Sequence, residues 1–256
     1  MYMQTSKKPI VKGVGGAGIK VKSLNEMVRW YGRLLNMPIS TFNPDIPFYV
    51  FDMDNRVNLT LDDYRNMKGL KHFPIAQFKT EHIQEAKKVV QASKVPIVLD
   101  IQRPHPGLAY FHIEDSEGNV LQLVESDWIN PKPLKQNSEA HPIQNHLQNL
   151  VIPVKDIDRA SKWYSSFLGV SLLPERLDGG PINWFDLEDG TGILLDDNRN
   201  NSDFKGNFPT IMLRARDIQE AFEFVKQNEI EVIREITHHH YFVIRDLEDH
   251  TIIICP

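Results

Sequence analysis

The chain has 256 residues, 41% of them hydrophobic and 25% charged, with a formal charge of −5 and a pI near 6.1. These are ordinary globular proportions with material for two cores, and the acidic balance, with no run of Lys or Arg, excludes a general nucleic-acid surface. Cys255 is the only cysteine, so no intrachain disulfide forms. No window approaches the ~20 apolar residues of a membrane span, and a cytoplasmic protein is the expectation.

The stretch 17–37, AGIKVKSLNEMVRWYGRLLNM, is repeated without a gap at 150–170, LVIPVKDIDRASKWYSSFLGV. Val21 falls on Val154, Trp30 on Trp163, Tyr31 on Tyr164 and Leu35 on Leu168. In each copy a period of two gives way to a period near 3.6, the pattern of a strand running into a helix. Ser23 with Glu26 has the form of a capping box, and Asp156 is placed to accept from first-turn amides. Met27, Val28, Tyr31, Leu34 and Leu35 make one buried stripe, repeated by Ala160, Tyr164, Phe167 and Leu168.

Strand-like segments follow at 48–54 and 56–62, matched at 182–189 and 191–196, and then a loop that begins Asp-Asp-x-Arg-Asn in both halves. A second strand and helix come next, FPIAQFKT and HIQEAKKVVQA, matched by FPTIMLRA and DIQEAFEFVKQ, where Asp217 and Glu220 have the spacing of a helix start. Two strands joined by an acidic turn, 115–119 or 246–250, close each half. The polar, proline-bearing segment 125–146 has no sustained periodicity and reads as a connection. The predicted architecture is α+β: four βαβββ modules in tandem, one domain over 10–126, a linker over 127–146 and a second domain over 147–256.

With this order, the helix ending in Tyr-x-x-x-Leu and the acidic turn ahead of the last strand, the sequence resembles the vicinal oxygen chelate superfamily. That group includes glyoxalase I, bleomycin-resistance proteins, fosfomycin-resistance enzymes and extradiol dioxygenases. The resemblance implies curved sheets around cavities and, in metal-using members, His, His and Glu reaching inward. By register those positions are Gly16, Ile75 and Gln122 in the first half and Asn149, Thr210 and Ile253 in the second. A transition metal needs three or four imidazole or carboxylate ligands at ~2.0 to 2.2 Å. Neither set supplies them, so no cofactor is predicted, a divalent metal being the alternative.

Other histidines are weaker candidates. His238, His239 and His240 are consecutive, so at most two share a strand face; His146 reaches the site only if its strand is bulged. His112, with Tyr110, lies on a short strand that either face could turn inward. Gly13, Gly15, Gly16 and Gly18 do not form a phosphate loop, because a strand rather than a helix follows them.

If Ile19, Val21, Phe51, Leu59, Leu61, Ala76 and Phe78 face the helices, the opposite face presents candidate ligand-binding residues. These are Lys20, Asn58, Gln77 and Gln122 in the first half and Asn149, Trp184, Thr210 and Arg214 in the second. For Lys20 and Arg214 the competing reading is a long side chain reaching to water. The functional expectation is metal-independent binding of a small organic molecule, by a monomer or homodimer. The alternatives are an enzyme with non-standard metal ligands, lactoylglutathione lyase-like rather than dioxygenase-like, and a non-catalytic domain pair.

Overall fold

The computed structural model describes residues 10–39, 42–65, 73–127, 141–177, 179–187, 190–204 and 206–256. The first half contains β1 (Gly13–Lys20), α1 (Leu24–Leu34), β2 (Phe48–Asp52), β3 (Asn58–Asp62), β4 (Pro74–Lys79), α2 (Ile83–Ala92), β5 (Ile97–His105), β6 (Leu108–Glu114) and β7 (Val120–Ser126). The second contains β8 (Ile143–Pro153), α3 (Ile157–Leu168), β9 (Ile182–Asp186), β10 (Gly192–Asp196), β11 (Ile211–Ala215), α4 (Ile218–Gln227), β12 (Glu231–Thr237), β13 (Tyr241–Arg245) and β14 (Thr251–Cys255). Each half makes one seven-stranded mixed sheet, in the orders β2-β3-β1-β4-β7-β6-β5 and β12-β13-β14-β11-β8-β10-β9. The fold is α+β, and its two halves follow the two halves of the sequence repeat.

In the opening module of each half, two named strands follow the helix. Pro38, Pro44 and Pro47 fall where a third would lie in the first half, and proline gives a ladder no amide donor. In the second half that strand is reduced to one bridge, Leu177 with Asn183. β8 begins at Ile143, so strand structure extends into the predicted connection; residues 128–140 of that segment lie outside the described residues, as does His72.

The helical stripe is buried as its spacing predicts, with Met27, Val28, Tyr31, Leu34 and Leu35 all at 1% exposure or less. Each such side chain contributes roughly 1.5–3 kcal/mol on removal from water. Helix ends differ from expectation at one place. Asp156 accepts from the Arg159 amide and Asp217 from those of Gln219 and Glu220. Ser23, by contrast, makes no side-chain cap, and Glu248 of the other half accepts from the Lys22 and Ser23 amides at 2.6 and 2.7 Å.

That substitution is one side of a reciprocal joint between the halves. Glu117 accepts from the Lys155 and Asp156 amides ahead of α3, at 2.9 and 3.2 Å, and pairs with Arg159. Beside each glutamate an aspartate takes the other half's tyrosine: Tyr164 Oη donates to Asp115 at 2.7 Å and Tyr31 Oη to Asp246 at 3.0 Å. Burial first, and then the facing carboxylate, push both phenols well above their ordinary pKa, so they remain donors. The halves also share a single core, in which Phe78 of β4 meets Phe167 of α3 with ring centroids 5.3 Å apart. The helix-facing sides of both sheets are thus committed to the core.

Candidate ligand-binding faces

Strand pairing sets a row across the first sheet: Asn58 opposite Gly16, Gly16 opposite Gln77, Gln77 opposite Gln122 and Gln122 opposite His112. Three of the four first-half candidates therefore stand side by side. Gly16 faces Gln77 rather than Ile75, and Asn149 faces Met212 rather than Thr210. The reason is that register shifts interrupt β1 near Gly16 and β11 beside Met212, which strand alternation alone does not encode.

Two glycines make the floor of this face. A Cβ on Gly16 would stand 2.5 Å from the Asn58 carbonyl oxygen, and one on Gly18 would stand 2.4 Å from that of Pro74 and 2.7 Å from the Phe73 ring. Over this floor Gln77 Nε2 reaches Thr60 Oγ1 at 3.5 Å. Lys20 stands apart. It is four residues along β1 from Gly16, roughly 13 Å at about 3.3 Å per residue, and its ammonium lies 5.1 Å from the centre of the Tyr64 ring.

His112 belongs to the row, because Ala109, Phe111 and Ile113 of the same strand face the core. It is fully buried, and its Nε2 lies 3.0 Å from Gln122 Oε1. An amide oxygen only accepts, so Nε2 carries the proton and Nδ1 is a bare acceptor with no partner among the described residues. Burial, only partly offset by the Gln122 bond, holds its pKa down to about 4. Tyr110 stacks on it with centroids 5.6 Å apart and planes at 24°. Burial first, then the charge of Asp62, raises the Tyr110 phenol.

The second face is apolar. Val151, Leu194, Met212 and Cys255 form a buried cluster joined by Ile182, Trp184, Tyr241 and Ile253. Asn149 lies over Gly192 and donates to Met212 Sδ at 3.3 Å, and Arg214 donates to Gln148. Thr210 precedes β11, its carbonyl accepting from the Val151 amide. Trp184 Nε1 is buried without a partner among the described residues, and the Arg176 guanidinium lies 5.2 Å from its ring centre. Near the edge of this sheet, Arg234 of β12 ties down the segment 200–203 through Asp203, Asn201 and the Asn200 carbonyl. Burial pushes the Cys255 thiol up to about 11, so little thiolate forms near neutrality. Alkylation by iodoacetamide is expected to be slow in the native protein and fast in denaturant; equal rates would contradict the buried placement.

His146 and the run His238 to His240 stand away from the row on the first face. His146 Nδ1 lies 2.6 Å from Asp54, beside hydrogen bonds from the Asp54 amide to the Asn145 carbonyl and from Asn55 to the Leu147 carbonyl. This joins the β2–β3 turn to β8. His238 and His239 occupy a hairpin turn with left-handed φ of 53° and 57° and are exposed. Among the described residues no group of three or more His, Cys, Asp or Glu is disposed to hold a metal ion. The donor chemistry agrees: the ligand positions hold Gly16, Gln77 and Gln122 in one half and Asn149, Met212 and Ile253 in the other, which do not fit a divalent transition metal.

Two seven-stranded mixed sheets, each built from paired modules of strands and one helix, define the class to which the chain belongs. It is a member of the Glyoxalase/Bleomycin resistance protein/Dioxygenase superfamily, whose profile matches residues 13–123 and 143–251. Comparison with curated protein sequences gives no match. Among solved structures it is similar to the Mn(II)-bound glyoxalase from Novosphingobium aromaticivorans, with a TM-score of 0.65 at 10% identity over 95% of this chain and 81% of that one. The 2,3-dioxygenase LapB from Pseudomonas sp. KL28 gives 0.65 at 15% identity over 96% and 92%. A mutant of homoprotocatechuate 2,3-dioxygenase from Brevibacterium fuscum gives 0.65 at 15% over 97% and 72%. At these identities the likeness is one of fold.

Proposed function

We propose that the protein binds a small, uncharged, hydrogen-bonding organic molecule on the first concave face, without recruiting a metal there. The observation that carries this reading is the row Asn58, Gln77, Gln122 and His112. It lines up neutral amide donors and acceptors with an imidazole whose Nδ1 is left bare. Asn58, Gln77, Gln122 and Tyr110 are all partly exposed, so a ligand can reach them. A planar compound carrying hydrogen-bonding groups would stack near Tyr110 and pair with the partly exposed amides of Gln77 and Gln122, the latter held from beneath by His112. The apolar second face serves packing, with Asn149, Trp184, Thr210 and Arg214 as its polar fringe.

The reading is supported by a one-chain architecture in which each acidic turn already meets the other half's helix, and a monomer is the proposed functional unit.

The test is a titration of the purified protein with a panel of uncharged aromatic amides, phenols and heterocycles, with elemental analysis of the same sample. Binding is expected to weaken at least tenfold, ~1.4 kcal/mol, in His112→Phe and to be unchanged in Trp184→Phe. A stoichiometric transition metal in the purified protein, or binding that follows Trp184 instead of His112, would overturn the proposal.

A further inference from the structure

We propose that His250 makes one of the two joints between the halves pH-sensitive toward alkaline pH, while Asn119 gives the equivalent joint a donor that does not titrate. The two residues end turns of the same form, Asp115 to Asn119 and Asp246 to His250. In both turns one aspartate oxygen accepts two backbone amides and the other takes the tyrosine of the opposite half. The last residue of the turn then adds one more donor to that second oxygen.

In the first turn the donor is the Asn119 amide, whose Nδ2 lies 2.9 Å from Asp115 Oδ2 and 2.9 Å from the Pro153 carbonyl oxygen. A primary amide carries two N–H groups at all pH values, so both acceptors are always served. In the second turn His250 Nδ1 lies 2.8 Å from Asp246 Oδ2, and the backbone carbonyl of Lys20 adds to the pull on the ring's protons. Pro153 and Lys20 are equivalent residues, each the last of its half's opening strand. Histidine thus stands between the same two acceptors as asparagine, but it carries two N–H groups only as the imidazolium. A neutral ring must turn a lone pair toward either the carboxylate or the carbonyl.

The charged and titratable groups around His250 favour the cation. Its own turn brings Asp246 and Glu248, with Asp249 outermost and 3.8 Å from Arg245. From α1 comes the Tyr31 phenol, on the same carboxylate. From the end of β1 comes the Lys20 carbonyl, while the Lys20 ammonium lies over Tyr64, and the Lys22 amide is held by Glu248. Burial opposes the charge, but the Asp246 hydrogen bond and the charges of Asp246 and Glu248 outweigh it and raise the His250 pKa.

A raised folded-state pKa fixes the sign. The stabilisation is fully present below the pKa of His250 in the unfolded chain and is lost as pH rises through the folded value. The joint at Asp246 therefore loosens toward mildly alkaline pH, and the joint at Asp115 does not.

Two measurements test this. An NMR titration of the wild-type protein should show His250 losing its proton above the ordinary value for histidine; a midpoint at or below that value overturns the proposal. Unfolding midpoints of wild type and His250→Asn, compared from about pH 5.5 to about pH 8.5, should show the wild-type advantage shrinking as pH rises. Asn119→His should add a second step of the same sign. A difference between wild type and His250→Asn that stays constant with pH would also overturn it.

Discussion

Asp115→Ala is expected to lose about 3–5 kcal/mol of stability, since hydrogen bonds to a charged group contribute roughly 1.5–3 kcal/mol each and several are lost at once. The carboxylate, 6% exposed, accepts from four donors: the Tyr164 hydroxyl, the Glu117 and Asn119 amides and the Asn119 side chain. Alanine strands them all, and a donor buried without its acceptor costs more than the hydrogen bond had contributed. Tyr164→Phe removes only one donor from the group and is expected to cost ~1–3 kcal/mol. Asp246→Ala should behave like Asp115→Ala, since its carboxylate holds the equivalent set. Urea unfolding measures all three as shifts of the midpoint at constant slope. A loss below that of Tyr164→Phe would mean that the turn, not the carboxylate, holds the halves together.

The second large effect is steric. Converting the first face to a metal site by Gly16→His, Gln77→His and Gln122→Glu is expected to fail, with Gly16→His alone costing roughly 1–3 kcal/mol or more. The obstacle is backbone: the new Cβ would stand 2.5 Å from the Asn58 carbonyl oxygen, on the paired strand β3. The position thus lacks both an imidazole and the space for one. Gln77→His by itself, on a half-exposed strand position, should be tolerated. Denaturant midpoints and isothermal titration with Zn²⁺ or Mn²⁺ decide the matter. A triple variant as stable as wild type that takes up one equivalent of metal would refute the steric argument.

Most of the fold was legible in the sequence, for an identifiable reason. A residue such as Tyr31 or Leu59 owes its burial to local periodicity, and the repeat shows the same periodicity twice. The row on the first face was legible in its members, Asn58, Gln77 and Gln122, since strand alternation assigns faces. It was not legible in its alignment, because that depends on register across β1, where the pairing shifts by a residue beside Gly16. His112 could be listed in no face from its own short strand. Its place follows from pairing with Gln122, a contact between strands joined by the acidic turn. The helix start at Ser23 misled for a different reason. The capping-box pattern is local, whereas the carboxylate that serves those amides arrives from Glu248, 225 residues away along the chain from Ser23.

The two joints are equal in geometry and unequal in time. Tyr164 meets Asp115 across 49 residues, but Tyr31 meets Asp246 across 215. A chain made from its amino terminus therefore has the Asp115 turn in hand when α3 emerges, while α1 must wait for the last strands before its leading amides find Glu248. The half that is synthesised first is the last to be completed, and until then its lead helix has only its own sheet to lean on.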